Sequence, residues 1–391
     1  MSPPTAPSWA SVPDDLFAEF LSLLPVKSLL RFKCVSNSWN TLISDPNFVK
    51  FHLKKSKSHN PHFTLVTYHS KEIKGESPYG SDDEFEIDYS IIPYPISSFL
   101  DNPSFTLFAD HHYLLNEKDC SRIAGFCNGL ICLTGFDYSP MFTIYDQQLE
   151  YWLRLWNPAT REISEKFGCF TDSRGFNFNF GCDNSTGTFK VVASRYIRDK
   201  STSDVRVLSF GDSVWRNIEI FPVLPLHLGY EAFEHNAVFL NGTLNWLASR
   251  NDISISGTWF DQLKYVTVEQ LIIVSLDLGT ETYNIYTLPR GFAELPPEEP
   301  TVRVLGDCLC FSYYSYNQAD IIIWPLFLSK DGDTLILESI GEGQTILYNW
   351  SDRRVKKSGV SVHKTVIDDG TDNVLFWYLA NGFVESLISI C

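Results

Sequence analysis

One phrase recurs along most of this chain and limits what it can fold into: a glycine-containing turn followed by a short apolar strand. It reads N-G-L-I-C-L at Asn128–Leu133, N-G-T-L-N-W-L at Asn241–Leu247, G-D-C-L-C-F at Gly306–Phe311 and D-G-D-T-L-I-L at Asp331–Leu337. A second phrase, strand then polar turn then strand, follows most of them. It appears at Leu155–Ile163, Val207–Arg216, Val274–Tyr283 and Leu347–Val355. Two hairpins per unit make four strands per unit. Four-stranded antiparallel units repeated along a chain build a β-propeller, whose radial closure leaves only short, protected edges. A two-sheet sandwich fits less well with so long an all-strand run. Repeat spacing of about 45–60 residues points to about six blades.

The N-terminal region is written differently. Between Pro13 and Phe48 the apolar residues fall at helical spacing. Asp14 and Asp15 place negative charge at a helix start. Leu16, Phe17, Phe20, Leu21 and Leu24 form one stripe, and Pro25 ends the helix at Leu24. Leu29, Leu30, Phe32 and Val35 form a second set. Ser36 is the expected N-cap of a third helix carrying Trp39, Leu42 and Ile43 on one face. Asp45-Pro46 closes it. Three short helices in so few residues hold little core of their own, so such a unit keeps apolar surface for a partner.

The wording of that segment resembles an F-box, the helical module of substrate receptors in SCF-type cullin-RING ubiquitin ligases. The resemblance is carried by L-P-V-K-S-L-L-R-F-K-C-V-S from Leu24 to Ser36 and S-W-N-T-L-I-S-D-P-N-F from Ser38 to Phe48. Phe20 stands where an isoleucine is usual and Asn37 where a basic residue is usual. G-F-C-N-G-L-I-C-L, L-W-N-P-A-T-R-E, V-F-L-N-G-T-L-N-W-L-A and L-D-L-G-T-E-T-Y resemble the plant F-box-associated domain, related to F-box/kelch-repeat proteins.

This resemblance implies a mainly β fold with a small α module. Residues 1–11 are a disordered tail, 12–53 the F-box, 54–61 a basic linker and 62–391 a kelch-like propeller that recruits a target protein. Docking to the SCF adaptor, and through it to cullin, falls to Pro13, Leu16, Phe20, Leu21, Leu24, Pro25, Leu29 and Leu30. Phe32, Val35, Trp39, Leu42 and Ile43 make the module's own core. One departure stands out. After D-I-I-I-W, Asp320 to Trp324, the family continues with a charged turn and a strand, whereas this chain goes straight to P-L-F-L-S-K-D-G. One blade is therefore expected to lack outer strands.

Charge and cysteine content narrow the partners. The net charge is −16, which argues against a nucleic-acid binder. It is uneven: Pro13–Lys57 carries seven basic and four acidic residues, a net of +3, leaving −19 elsewhere. Nothing reads as a signal peptide, and no apolar run is long enough to span a bilayer. The expectation is a cytoplasmic or nuclear protein with no membrane partner. Nine scattered cysteines without a C-x-x-C pair read as buried free thiols, with Cys308 and Cys310 inside a strand.

Motifs for bond chemistry are absent from the sequence: there is no phosphate loop, no H-E-x-x-H and no G-x-S-x-G elbow. His111-His112 reads as a solvated loop, as does the acidic run Asp82, Asp83, Glu84 and Glu86. Ser70–Tyr89 reads as a mobile insertion. Trp156, Trp215, Trp246 and Trp324 fall in strands and are expected to pack blade against blade. Phe176–Phe180, F-N-F-N-F, reads as an amphipathic strand. Loops at Gly257–Tyr265 and Tyr313–Gln318 serve either as target readers or as connectors. Neither a cofactor nor a metal is expected, and the target-binding residues are not specified. The competing readings are an F-box protein acting outside ubiquitination and a propeller enzyme.

Overall fold

The computed structural model describes residues 14–58, 64–74, 85–95, 113–138, 148–173, 175–226, 228, 237–250, 267–288, 300–305, 308–315, 320–325, 334–339, 344–349, 354–361, 365–366 and 374–390. The expected Pro-rich tail, Pro13, His111-His112, Asp82–Glu84 and the Gly257–Tyr265 loop lie outside them.

Four helices open the chain, one more than the sequence reading gives: α1 Asp14–Leu21, α2 Val26–Lys33, α3 Asn37–Ser44 and α4 Pro46–Ser58. Helix α1 stops at Leu21, not Leu24. The amides of Leu23 and Leu24 bond back three residues, to Phe20 and Leu21, tightening the chain into turns before Pro25. Ser36 caps α3 as expected, its Oγ accepting from the Trp39 amide at 3.2 Å. Asp45 is extended and ends α3, but its carboxylate also accepts from the amides of Asn47 and Phe48 and so starts α4. Proline at the first helical position is the other half of that signal. Helix α4 runs through Lys54–Ser58, so most of the expected linker is helix.

Beyond the helices the chain is antiparallel sheet. Arg122–Cys127, Leu130–Tyr138, Leu149–Asn157 and Glu162–Ile163 pair in order, with Phe167–Asp172 added against Leu149–Asn157. Asn177–Cys182, Phe189–Ile197, Thr202–Ser209 and Arg216–Asn217 form a four-stranded sheet. So do Val238–Leu240, Thr243–Ser249, Leu271–Asp277 and Thr282–Thr287. Two further sheets have three strands each among the described residues: Thr301–Leu305, Cys308–Ser315 and Asp320–Pro325, then Thr334–Ser339, Gln344–Asn349 and Arg354–Ser361. The sequence reading expected one shortened unit. A remaining sheet joins the two ends of the body, because Thr64–Lys74 pairs with Val374–Phe383 on one side and Phe85–Pro95 on the other. Ser70–Lys74 and Phe85–Tyr89 are therefore paired strand, not loop.

The sheets follow one another as blades do. The first strands Arg122–Cys127, Asn177–Cys182, Val238–Leu240 and Thr301–Leu305 lie side by side in chain order. Cores sit between neighbouring sheets. Cys132, Leu153 and Leu155 meet Phe178, Phe180 and Val191 in one, and Val205 and Val207 meet Trp246, Ile272 and Val274 in the next. Trp246 is buried in the second of these, and Trp215 is half-buried against the first, donating from Nε1 to the Gly168 carbonyl at 2.8 Å. Trp156 is buried elsewhere, against Leu115, Cys120, Ile131 and Leu133 of its own sheet and the segment before it, not against a neighbouring sheet, and the Trp324 side chain lies outside the described residues. Phe176, Phe178 and Phe180 are all buried, with Phe176 edge-on to Phe170 at 5.3 Å, but Asn179 between them is buried as well, so this strand is covered on both faces and is not the amphipathic strand expected.

Turn chemistry holds the hairpins. Asn128-Gly129 and Asn241-Gly242 both lie at positive φ, the backbone that two-residue hairpins require. Three longer turns share a different device. Asn157, Asp183 and Asp277 each accept backbone amides two or three residues on, and the fifth residue, Arg161, Gly187 or Glu281, has positive φ. A threonine stands fourth in all three. The side chain replaces a strand partner for amides that the turn would leave unpaired.

Candidate functional site

The helical module has a closed side and an open side. On the closed side Leu21, Val26, Leu29, Ile43 and Phe48 form a buried cluster, with Leu24, Leu30 and Leu42 half-buried against it. Trp39 sits edge-on to Phe32 at 5.1 Å. Two residues expected in the adaptor-facing set, Leu21 and Leu29, are fully buried and so hold the helices together. Each lies on the inner arc of its helix, where the stripe read from the sequence is wider than the face that reaches solvent.

The open side carries Leu16, Phe20, Leu23 and Val35, each about 60% exposed or more. Val35, expected in the core, lies beyond the end of α2 and points to solvent. Isolated exposed apolar residues are ordinary, but Leu16, Phe20 and Leu23, spaced four and three apart, leave one stretch of the module apolar and uncovered, the kind of surface that marks an interaction. Leu23 was not picked out by sequence reasoning. It follows the end of α1 at three- and seven-residue spacing from the exposed Phe20 and Leu16, so the helical period itself could have found it.

Leu24-Pro25 sits between the two sides, half-buried. Its geometry is fixed from behind. The His52 ring nitrogen Nε2 lies 2.9 Å from the Leu24 carbonyl, and that imidazole is 1% exposed. Burial pulls the His52 pKa below its ordinary value, with the bond to Leu24 opposing the shift. The neutral ring therefore donates to Leu24 and leaves Nδ1 without a hydrogen-bond partner.

The module is not free of the body. Leu387 packs into its buried cluster, Ala159 lies against the same cluster, and Lys57 Nζ donates to Asn128 Oδ1 at 2.6 Å. On the body, the large apolar side chains that reach solvent among the described residues are Val214, Ile220, Ile285, Tyr286 and Val304. The first four flank a tie between adjacent sheets, where Arg216 meets Glu281 at 2.7 Å and the Tyr283 hydroxyl donates to the Glu219 carbonyl. Among the described residues no three His, Cys, Asp or Glu side chains gather as metal ligands would. Cys120, Cys127, Cys132 and Cys182 are buried free thiols as expected, whereas Cys34 and Cys169 are free but exposed, and burial pushes the Cys120 thiol up to about 12.

Two family models match this chain in the order the structure lays out. An F-box domain model covers residues 9–51, and an F-box associated beta propeller domain model covers residues 100–326, more than half of the sequence. The chain belongs to the F-box proteins with an associated propeller. Its F-box is the helical module and its propeller domain the sheet body. An F-box/kelch-repeat protein of Arabidopsis thaliana, At3g23880, is 30% identical over 87% of this chain and 78% of its own. The Arabidopsis F-box proteins At5g10340 and At1g11270 are 28% and 25% identical, over 78% and 81% of this chain and 63% and 86% of theirs.

Proposed function

We propose that this F-box protein is the substrate-receiving subunit of an SCF-type ubiquitin ligase. The F-box docks on the adaptor that leads to cullin, and the propeller holds a target protein. The observation that carries this reading is the uncovered apolar face of Leu16, Phe20 and Leu23 beside Leu24-Pro25, on a module whose other apolar residues close into a core completed by Leu387 of the body. A few apolar anchors dominate the energy of such an interface.

No bond chemistry falls to this chain in that role. It raises the concentration of a target lysine near the ubiquitin-carrying enzyme, turning an encounter in solution into an effectively intramolecular one. Its place of action is the cytoplasm, the nucleus or both.

The test is capture of the purified adaptor by the full chain. Leu16→Asp with Phe20→Asp puts two charges on the exposed face without opening the core, and Leu24→Ala with Pro25→Ala blunts the knob. Both pairs are expected to abolish capture with the propeller still folded. Undiminished capture by the charged pair overturns the reading.

A further inference from the structure

The segment after the strand Val374–Phe383 touches both parts of the molecule. Residues 384–390 belong to no helix or strand, and their side chains divide between two surroundings. Ser386, Ile388 and Ile390 turn toward the propeller: Ser386 is fully buried, and Ile388 and Ile390 join its first core. Leu387 turns the other way. It is 5% exposed and completes the F-box cluster of Leu21, Val26, Leu29, Ile43 and Phe48.

The body is built to receive this segment. Asn157 is fully buried and uses all its hydrogen-bonding capacity. Its Oδ1 closes the turn to Ala159 and Thr160, while its Nδ2 donates to the carbonyls of Ser386 at 3.1 Å and Ile388 at 2.9 Å. Glu162 accepts from the Ile390 amide at 3.3 Å. Gly129 lies beneath the segment at φ +79°, and a Cβ there would meet Ser386 Oγ at 2.5 Å and the Val384 carbonyl at 2.7 Å. The same Asn128-Gly129 turn carries the Lys57 contact. Leu387, Ala159 and Lys57 are three separate attachments, and each removes freedom of the F-box to turn on the body.

We propose that residues 384–390 are a clamp that fixes the orientation of the F-box on the propeller, with Leu387 as a positioning residue pinned in the F-box core and Asn157 as its anchor on the body. This rests on the receptor reading for its purpose: a set orientation keeps the adaptor face and the target-holding surface at one distance. As a statement about the molecule it stands apart from that reading.

The test uses the full chain with fluorophores carried on unnatural amino acids at the exposed positions 50 and 200, read as a single-molecule distance distribution. Wild type is expected to give one narrow distribution. Leu387→Ser removes the pin and is expected to broaden it while the thermal melt of the body persists. Leu387→Met, which refills the site, is expected to restore it. Should Leu387→Ser also unfold the F-box, Gly129→Ala displaces the segment from its body side with the Leu387 side chain unchanged, and is expected to broaden the distribution with the helical signal intact. A distribution as narrow as wild type in Leu387→Ser with the F-box folded, or in Gly129→Ala where Leu387→Ser unfolds it, overturns the clamp. Adaptor capture by the wild-type chain is measured in parallel: its failure overturns the receptor reading and leaves the clamp as the distances find it.

Discussion

His52 of α4 reaches across the F-box to hold the carbonyl of Leu24, one residue before the proline that ends the first turn region. The bond joins the last helix of the module to the knob between its first two. Because the ring is buried and its other nitrogen is unpartnered, protonation has no stabilising contact to gain.

Its pH dependence has a definite sign. The folded-state pKa lies below 6.5, so the unfolded chain binds the proton more readily. Stability from this residue is fully present above about pH 6.5 and is lost as pH falls through the folded value. Hydrogen exchange in α1 and α2 is expected to speed up between pH 7.5 and 5.5 beyond the change in intrinsic rate. His52→Gln, which keeps a donor and cannot titrate, is expected to flatten that response. An equal response in both proteins counts against the assignment.

The inner and outer faces of the F-box differ in what a truncation costs. Leu29 is fully buried, and Leu29→Ala is expected to destabilise the module by about 2–5 kcal/mol. Val35 is 66% exposed, and Val35→Ala is expected to change stability by about 0.5 kcal/mol or less. Denaturant melts followed by helical signal separate the two.

What the sequence disclosed follows from the range of the interactions involved. The Asn128-Gly129 and Asn241-Gly242 turns, the Ser36 cap and the alternation of Phe176, Phe178 and Phe180 are set by neighbours a few residues apart, and each is legible. Helix α4 was equally local: Asp45-Pro46 with Phe48, Val49, His52 and Leu53 is a start signal followed by helical spacing, and reading the pair only as a stop concealed it. Leu387 was not legible. Its place in the F-box core depends on a strand pairing and an asparagine far away in sequence, and no local pattern encodes either. The same ignorance of distance made Leu21 and Leu29 look like surface, since a helical stripe does not say which part of it another segment covers.

Glu281 ties two sheets together. Its carboxylate takes Lys190 Nζ at 2.8 Å and Arg216 at 2.7 Å, and Lys190 also donates to the Leu278 carbonyl. The Arg216 bond, aided by Lys190, holds Glu281 at about 2 against the opposing effect of burial. Since that lies below the ordinary 4.5, the stability it gives is complete above pH 4.5 and disappears as pH falls through about 2. Glu281→Gln removes this acid-side slope and leaves the largely buried Lys190 ammonium without its counter-charge. A loss of about 3 kcal/mol or more is expected at neutral pH. Urea melts of wild type and variant from pH 7 down to pH 2.5 are expected to converge at the acid end.

Gly135 tests whether the first sheet's close packing is obligatory. A Cβ at this position would enter the indole of Trp152 on the paired strand. That indole is 8% exposed and is held by a 2.6 Å bond from Nε1 to the Asp119 carbonyl, with the Lys166 ammonium 3.9 Å above the ring. Lys166 in turn pairs with Asp119, so ring and cation share an anchor. Gly135→Ala therefore cannot be absorbed by a small rotation of Trp152 without breaking its bond and uncoupling the cation. The expected loss is about 1–3 kcal/mol, with a shift in tryptophan emission as the ring moves. Trp152→Phe in the Gly135→Ala background takes away the clashing edge and is expected to recover part of the loss. Additive effects of the two substitutions would show that the Trp152 ring is not what requires a glycine there.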